Sequence, residues 1–101
     1  MMKDNITKIK TYIGFAIKSR KIKFGVDDIL KLKNVNLIMV SESLSDSGMK
    51  KLEGFAERKS IELVKFSEND FLELIQNVNI KAFAILDENM AVAIKKNLTN
   101  F

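Results

Sequence analysis

The chain lacks several residue types, and each absence excludes a class of function. Among its 101 residues there is no histidine, cysteine, proline or tryptophan. Without cysteine there is no disulfide framework and no thiolate metal site. Without histidine there is neither the commonest general base nor the commonest neutral metal ligand. Ser-His-Asp and Cys-His mechanisms are therefore excluded.

Long apolar runs and linkers are missing as well. No apolar stretch approaches the length that spans a bilayer, and the first ten residues are too polar for the core of a signal peptide. We therefore expect a cytoplasmic protein that contacts no membrane. No linker, repeat or low-complexity tract divides the chain, so residues 1–101 are predicted to form one domain. With 47% hydrophobic and 30% charged residues, the composition is that of a soluble globular protein.

Positive charge is concentrated in the first third of the sequence. The chain carries a net charge of +4. Residues 1–33 contain nine lysines and arginines against three aspartates, whereas residues 34–101 contain eight basic and ten acidic residues. This asymmetry predicts a basic face built from the N-terminal third and an anionic partner for it.

Short apolar segments alternate with amphipathic segments along the whole chain, and this alternation predicts the fold class. The pattern predicts an α/β protein, a three-layer α/β/α sandwich around a largely parallel or mixed sheet. The predicted helices and strands are, in chain order, a helix from Asp4 or Asn5 to Lys18, strand Ile22–Phe24, helix Val26–Leu32, strand Leu37–Ser41, helix Asp46–Lys59, strand Ile61–Phe66, helix Glu68–Gln76, strand Ala82–Leu86 and helix Glu88–Leu98.

The helix termini carry their own signals. Asp4 or Asn5 is a candidate cap for the first helix. Ser45, Asp46 and Ser47 are candidate caps for the third helix, Ser67 for the fourth and Asp87 for the last. The apolar stripe of the first helix is predicted to consist of six side chains: Ile6, Ile9, Ile13, Phe15, Ala16 and Ile17.

The stretch from Lys18 to Lys33 is the strongest candidate for a binding site. Its first six residues include four basic ones, and Gly25 and two aspartates follow. We interpret it as an extended piece that turns through Gly25 into a helix capped by Asp27. A helix N-terminus beside lysines is a natural place for a phosphate backbone to dock. The alternative interpretation is a solvated, lysine-rich turn with an ordinary aspartate cap.

Three stretches in this order resemble one known family. GFAIKSRKIKFG (residues 14–25) is similar to the GLAxRAGKLxxG opening of bacterial YlxQ-type proteins. LIMVSESLSDSGMKKL (37–52) and FAILDENMAVAI (83–94) resemble the family's central strand, acidic loop and helix, and its last strand, aspartate turn and helix. The family is that of the kink-turn-binding ribosomal proteins L-seven-Ae and L-thirty-e, with their bacterial relatives YlxQ and YbxF.

The resemblance implies a fold and a function. The implied fold is the L-thirty-e-like sandwich with a four-stranded mixed sheet. The implied function is that of an RNA-binding, ribosome-associated protein which recognises structured RNA, ribosomal or regulatory, of the kink-turn type. On this basis we expect a monomer whose partners are RNA and the ribosome, with no catalytic residues, no metal and no cofactor.

The resemblance also implies which residues contact RNA. The family signature is a glycine, a variable residue, Asn-Glu, two further residues and a lysine, and here it falls on residues 25–31. Aspartates at positions 27 and 28 would face base edges, four lysines would neutralise phosphates, and two residues of a later loop would make apolar contacts. The implied RNA-binding residues are Arg20, Lys21, Lys23, Gly25, Asp27, Asp28, Lys31, Val78, Ile80 and Lys81.

The chain departs from the family pattern at three places. Asp27 replaces an asparagine and Asp28 a glutamate; a carboxylate only accepts hydrogen bonds, whereas an amide also donates. The Leu-Gly pair at the start of the family's fourth helix has no counterpart here, where Glu73 adds bulk and negative charge. Arg20 stands where YlxQ-type chains usually have glycine, which adds positive charge.

These departures favour a second hypothesis, a protein-interaction module that keeps the fold and has lost kink-turn recognition. A third hypothesis is a metal-assisted hydrolase built on carboxylates near strand ends. Its candidate residues are Glu42, Asp46, Asp87 and Glu88, all of which are also explained as helix caps or first-turn acids.

Overall fold

The computed structural model describes the backbone of residues 3–98 and the side chains of residues 5–98. Five helices alternate with four strands, as the sequence predicts. The helices and strands are α1 (Lys3–Lys18), β1 (Ile22–Phe24), α2 (Val26–Leu30), β2 (Leu37–Ser41), α3 (Asp46–Lys59), β3 (Leu63–Phe66), α4 (Glu68–Leu74), β4 (Ala82–Ile85) and α5 (Glu88–Leu98).

The four strands form one mixed sheet in the order β1-β4-β2-β3. The last strand, β4, lies between β1 and β2 and runs antiparallel to both. β2 and β3 pair in parallel, as expected for two strands joined by a helical crossover. The predicted α/β fold with a four-stranded mixed sheet is therefore confirmed.

The two faces of the sheet are covered by different helices, which completes the three layers. Side chains of α1, α4 and α5 pack on one face, where Phe83 and Ile85 of β4 are buried. Side chains of α2 and α3 pack on the other face, against Ala82 and Ala84. Successive residues of a strand point to opposite faces. Because β4 is apolar at all four positions, it buries both of its faces.

Strand direction gives the sheet two distinct edges, which we name by their residues. The upper edge is the end at which β1, β2 and β3 finish and β4 begins. The segments that meet there are 25–28, 42–47, 67–70 and 77–81. The lower edge is the opposite end, where segments 18–21, 31–36, 58–62 and 86–88 meet. Helices α2, α3 and α4 begin at the upper edge.

The structure confirms Ser67 and Asp87 as helix caps and selects Ser45 from the three candidates for α3. The hydroxyl oxygens of Ser45 and Ser67 each accept a hydrogen bond from the backbone N–H three residues on, at 3.1 Å. The carboxylate of Asp87 accepts one from the Met90 N–H at 2.9 Å. The prediction that Asn5 caps α1 is wrong, because Asn5 lies inside that helix. Its buried amide donates to the carbonyl oxygen of Asn97 in α5 at 3.0 Å instead. The side chain of Asp4 lies outside the described residues.

Two members of the predicted stripe on α1 face solvent. Phe15 and Ile17 are 50% and 49% exposed, whereas Ile9, Ile13 and Ala16 are buried. At about 100° per residue, positions 9, 13 and 16 share one face of a helix, and positions 15 and 17 lie on either side of it. The helix therefore contains more apolar residues than its buried face can hold.

Four predicted boundaries also move inward, among them the end of β4, which lies at Ile85 and not Leu86. α2 ends at Leu30 and not Leu32. The N–H groups of residues 31 and 32 donate to carbonyls three residues back, which is the 3₁₀ pattern and not the α-helical one. β3 begins at Leu63 and not Ile61, and α4 ends at Leu74 and not Gln76. None of the described helices is both long enough and apolar enough to cross a bilayer.

Helices α1 and α3 end in the same left-handed turn without a glycine. Arg20 has φ 59° and Ser60 has φ 55°. In both turns the next residue donates its N–H to the carbonyl five residues back, which is the Schellman pattern. Glycine normally occupies this position because a Cβ costs about 1–2 kcal/mol there. The glycine that YlxQ-type chains have at the place of Arg20 fits this geometry.

Replacing Ser60 with glycine should stabilise the protein by about 0.5–1 kcal/mol, because the left-handed backbone then loses its steric cost. The matched control is Ser47→Gly in the first turn of the same helix, which should destabilise the protein by up to about 1 kcal/mol. Urea unfolding followed by circular dichroism measures both. Equal effects of the two substitutions would contradict the left-handed conformation at Ser60.

Candidate functional site

Two segments far apart in sequence meet at the upper edge. The N–H of Gly25 donates to the carbonyl of Ala82 at 3.0 Å, and the N–H of Ser41 donates to the carbonyl of Lys81 at 2.9 Å. Segment 25–28 and loop 77–81 therefore lie side by side, with the end of β2 next to them. The resemblance assigns RNA contacts to both segments, and the fold brings them together.

Gly25 sets the start of α2, and its conformation explains why a glycine is present. Its backbone has φ 91° and ψ 144°, a region that is costly for residues with a Cβ. Gly25 itself is the residue that precedes the helix, and no side chain caps the helix start. The prediction that Asp27 is the cap is therefore wrong. Asp27 and Asp28 lie in the first turn of α2, and both are exposed.

Lysines flank this helix on the same side of the sheet. Lys23 pairs with Ala84 across the β1–β4 ladder, and directly opposed residues share a face, so Lys23 lies on the α2 and α3 side. Lys31 follows the last residue of α2. Both lysines are exposed, and within the described residues neither forms an ion pair. Both are free to neutralise a phosphate.

Arg20 and Lys21 are not part of this group. They precede β1, so they lie at the lower edge, where the carbonyl of Lys21 accepts from the N–H of Leu86 at 2.8 Å. From position 21 to position 25 an extended chain covers about 13 Å. The fold therefore divides the predicted basic stretch between two edges of the sheet.

The two apolar residues of loop 77–81 have different environments. Val78 is 64% exposed at the tip of the loop, where the side-chain oxygen of Asn77 accepts from the N–H of Asn79 at 2.9 Å. Ile80 is half-buried against the core and, with Phe24, lines an apolar cleft of about 260 Å³. Val78 is thus available to a partner, whereas Ile80 mainly supports the loop.

Lys81 already has an acidic neighbour within the protein. Its ammonium nitrogen lies 3.9 Å from a carboxylate oxygen of Glu68, and 32% of the Lys81 side chain and 57% of the Glu68 side chain are exposed. Sequence reasoning missed Glu68 as a member of the site. Its position in the first turn of a helix that follows a strand was the signal that could have placed it at this edge.

Carboxylates dominate the upper edge as a whole. Its four segments have a net charge of −5, and Lys81 is their one basic residue. The acidic residues are Asp27, Asp28, Glu42, Asp46, Glu68 and Asp70. All but Asp70 are exposed, and the first turns of α2, α3 and α4 supply five of the six. Acids in this position stabilise the positive ends of the helices.

The carboxylates of the hydrolase hypothesis do not converge. Glu42 and Asp46 lie at the upper edge, whereas Asp87 and Glu88 follow β4 at the lower edge. Among the side chains of residues 5–98, no group of three or more acids is placed to share a metal ion. The geometry therefore does not bring these four residues into one site.

Gly25→Ala should destabilise the protein by about 1–3 kcal/mol, because alanine rarely adopts the backbone conformation of this residue. Gly14→Ala in α1 is the matched control and should stabilise it by up to about 1 kcal/mol through helix propensity. An added Cβ meets no atom within 4 Å at either position. The difference in stability between the two variants therefore reports the backbone conformation and not a steric clash. Chemical unfolding of both variants measures it, and a neutral Gly25→Ala would contradict the described turn.

Comparisons with known proteins support the fold. No protein-family model matches the chain. A solved structure of a protein of unknown function from Bacillus halodurans superimposes with a TM-score of 0.77 at 16% identity. The match covers 90% of this chain and 96% of that one. At this level of identity the similarity establishes the α/β fold alone.

A sequence match of another kind involves a much larger protein. The CRISPR-associated endoribonuclease Cas13a of Leptotrichia shahii is 30% identical over 89 residues, which covers 87% of this chain. The chain spans only 6% of the length of that enzyme. The match therefore does not transfer the activity of the enzyme to this chain.

Proposed function

We propose that this protein binds structured RNA of the kink-turn type at its upper edge, as a ribosome-associated protein and not as an enzyme. The observation that carries the proposal is the contact between segment 25–28 and loop 77–81. The 3.0 Å hydrogen bond from Gly25 to Ala82, the residue that directly follows loop 77–81, holds together the two segments to which the resemblance assigns RNA recognition.

Each group of the proposed site has a chemical role. Lys81 at the upper edge, Lys23 on β1 and Lys31 after α2, where the lower edge begins, neutralise phosphates. Such contacts position a protein on RNA without reading sequence. The carboxylates of Asp27 and Asp28 accept hydrogen bonds from the amino groups of exposed base edges. Val78, at the loop tip, packs on an unstacked base, since RNA recognition relies on bases that leave the helix.

The charge of the upper edge favours a second candidate, a module that binds a basic protein. A net charge of −5 over four adjacent segments repels phosphates and attracts lysine- or arginine-rich surfaces. In this function the fold is kept, kink-turn recognition is lost, and the Lys81–Glu68 pair is a surface ion pair. The two candidates predict opposite results with RNA.

A titration against a kink-turn RNA and a straight duplex of the same length tests the proposal. The RNA function predicts tighter binding to the kinked RNA at both low and physiological salt. Equal, strongly salt-dependent affinities would contradict it, because they indicate attraction to phosphates alone. Absence of RNA binding at low salt, together with binding of basic peptides, would favour the protein-interaction module.

Asp27→Asn should strengthen binding to the kink-turn RNA by roughly tenfold. The amide both donates and accepts, and the substitution removes a negative charge next to the phosphates. Asp46→Asn is the control, since it removes the same charge from the same edge outside the proposed contact. Fluorescence anisotropy at two salt concentrations measures both variants. An equal gain from Asp46→Asn would show that the effect is only a reduction of overall repulsion.

Lys31→Ala should weaken binding to the kink-turn RNA and reduce the slope of log K against log salt by about one unit, the effect of losing one phosphate contact. Lys65→Ala, on β3 at the far side of the sheet, is the control. Unchanged affinity and slope for Lys31→Ala would remove this residue from the site.

A further inference from the structure

The lower edge carries a charge opposite to that of the upper edge. Its four segments contain seven basic and three acidic residues, a net charge of +4. The basic residues are Lys18, Arg20, Lys21, Lys31, Lys33, Arg58 and Lys59. All seven are exposed, and within the described residues none is ion-paired to a carboxylate.

The course of the helices produces this separation of charge. α2 and α3 begin at the upper edge with acidic first turns, and α3 ends at the lower edge with Arg58 and Lys59. α1 also ends at the lower edge, with Lys18 in its last turn. Acids at helix N-termini and cations at C-termini complement the helix dipoles. Helices that share a direction therefore collect their charges at opposite edges of the sheet.

Local contacts hold parts of the lower edge in place. The ammonium group of Lys59 donates to the carbonyl of Lys33 at 3.1 Å and lies 5.4 Å from the ring centre of Phe55. This contact ties the end of α3 to the segment that leads into β2. The left-handed turn at Arg20 and the bond from Leu86 to Lys21 fix the corner next to β1. The basic groups are thus carried on an ordered backbone.

We propose that the lower edge is a second docking surface, which binds the phosphate backbone of double-stranded RNA without reading sequence. Its basic groups extend from the start of β1 to the end of α3 across four strands, a width of about 14 Å at the usual strand spacing. A duplex with roughly one phosphate charge per 1.7 Å of axis, both strands counted, carries about eight phosphates along this length, and those on its facing side can contact the surface. The surface is not uniformly basic: Asp87 and Glu88, at the end of β4, lie between the cations that precede β1 and those that precede β2, and Asp87 is already engaged as the cap of α5.

The amides beside the cations fit a duplex better than a lipid surface. Asn34 and Asn36, which lie beside Lys33 and Lys59, offer amides to phosphates and ribose hydroxyls. The exposed large apolar side chains nearest this edge are Phe15 and Ile17 at the end of α1, and none lies within the four segments themselves. Insertion into a membrane interface needs an apolar face among the basic groups. The assignment to RNA and not DNA rests on the proposed function. The docking of a duplex rests on the charges of this edge alone.

The test uses the whole chain and a straight RNA duplex of about 20 base pairs, so it does not depend on kink recognition. Lys21→Gln/Lys33→Gln removes two cations from the lower edge and should reduce the slope of log K against log salt by about two units. Lys50→Gln/Lys51→Gln removes two exposed cations from the body of α3 and should leave the slope unchanged. Circular dichroism confirms that each variant is folded.

The outcomes separate the possibilities. A smaller slope for Lys21→Gln/Lys33→Gln alone supports the docking surface, even if the protein does not distinguish kinked from straight RNA. Equal effects of the two pairs, or no effect of either, overturn it. A matched DNA duplex bound as tightly as RNA overturns the assignment to RNA. If the Lys21→Gln/Lys33→Gln variant loses binding to phosphatidylserine vesicles but still binds the duplex as the unchanged protein does, the lower edge binds a membrane and the proposal is overturned.

Discussion

The position of β4 between β1 and β2 is the constraint on which the rest of the structure depends. The last strand bonds to the first and the second, and each of its four side chains is buried. Because β4 runs against its neighbours, the loop that precedes it ends beside the starts of α2 and α3. The upper edge therefore combines residues from the first and last thirds of the chain. Without β4 the sheet would lose the link between β1 and the β2–β3 pair.

The same arrangement explains the electrostatics. Helices α2, α3 and α4 leave the sheet from one edge, so their acidic first turns accumulate there, while the basic ends of α1 and α3 accumulate at the other. A net charge that is only moderately positive therefore hides two surfaces of opposite sign. If the proposed function and the second docking surface are taken together, the two edges have different roles in RNA binding. The lower edge supplies affinity through phosphates, and the upper edge supplies discrimination through base edges and the loop around Val78.

Much of the fold could be predicted from the sequence because its signals are local. The wholly apolar strands and the caps at Ser45, Ser67 and Asp87 required only neighbouring residues, and the structure confirms them. The predictions were wrong where tertiary contacts determine the role or the burial of a side chain. Asn5 was interpreted as a cap, but its amide bonds to a carbonyl 92 residues away. Phe15 and Ile17 are apolar, yet the packing of α1 leaves both at its surface.

The candidate site was only partly predictable for the same reason. The role of Gly25 followed from its place between a strand and a helix, and its positive φ confirms the turn. The predicted basic residues are divided between two places, because Arg20 and Lys21 precede β1 and lie at the lower edge, whereas Gly25 and the aspartates follow β1 and lie at the upper edge. Glu68 was missed because its contact with Lys81 depends on the return of the chain to the upper edge.

Mapping of amide chemical shifts in the ¹⁵N-labelled protein locates the RNA-binding surfaces. With a kink-turn RNA we expect shifts at both edges, in segments 25–28 and 77–81 of the upper edge and in segments 18–21, 31–36 and 58–62 of the lower edge. With a straight duplex we expect shifts at the lower edge alone. Identical maps for the two RNAs, or shifts confined to other surfaces such as the exposed side of β3, would contradict the account.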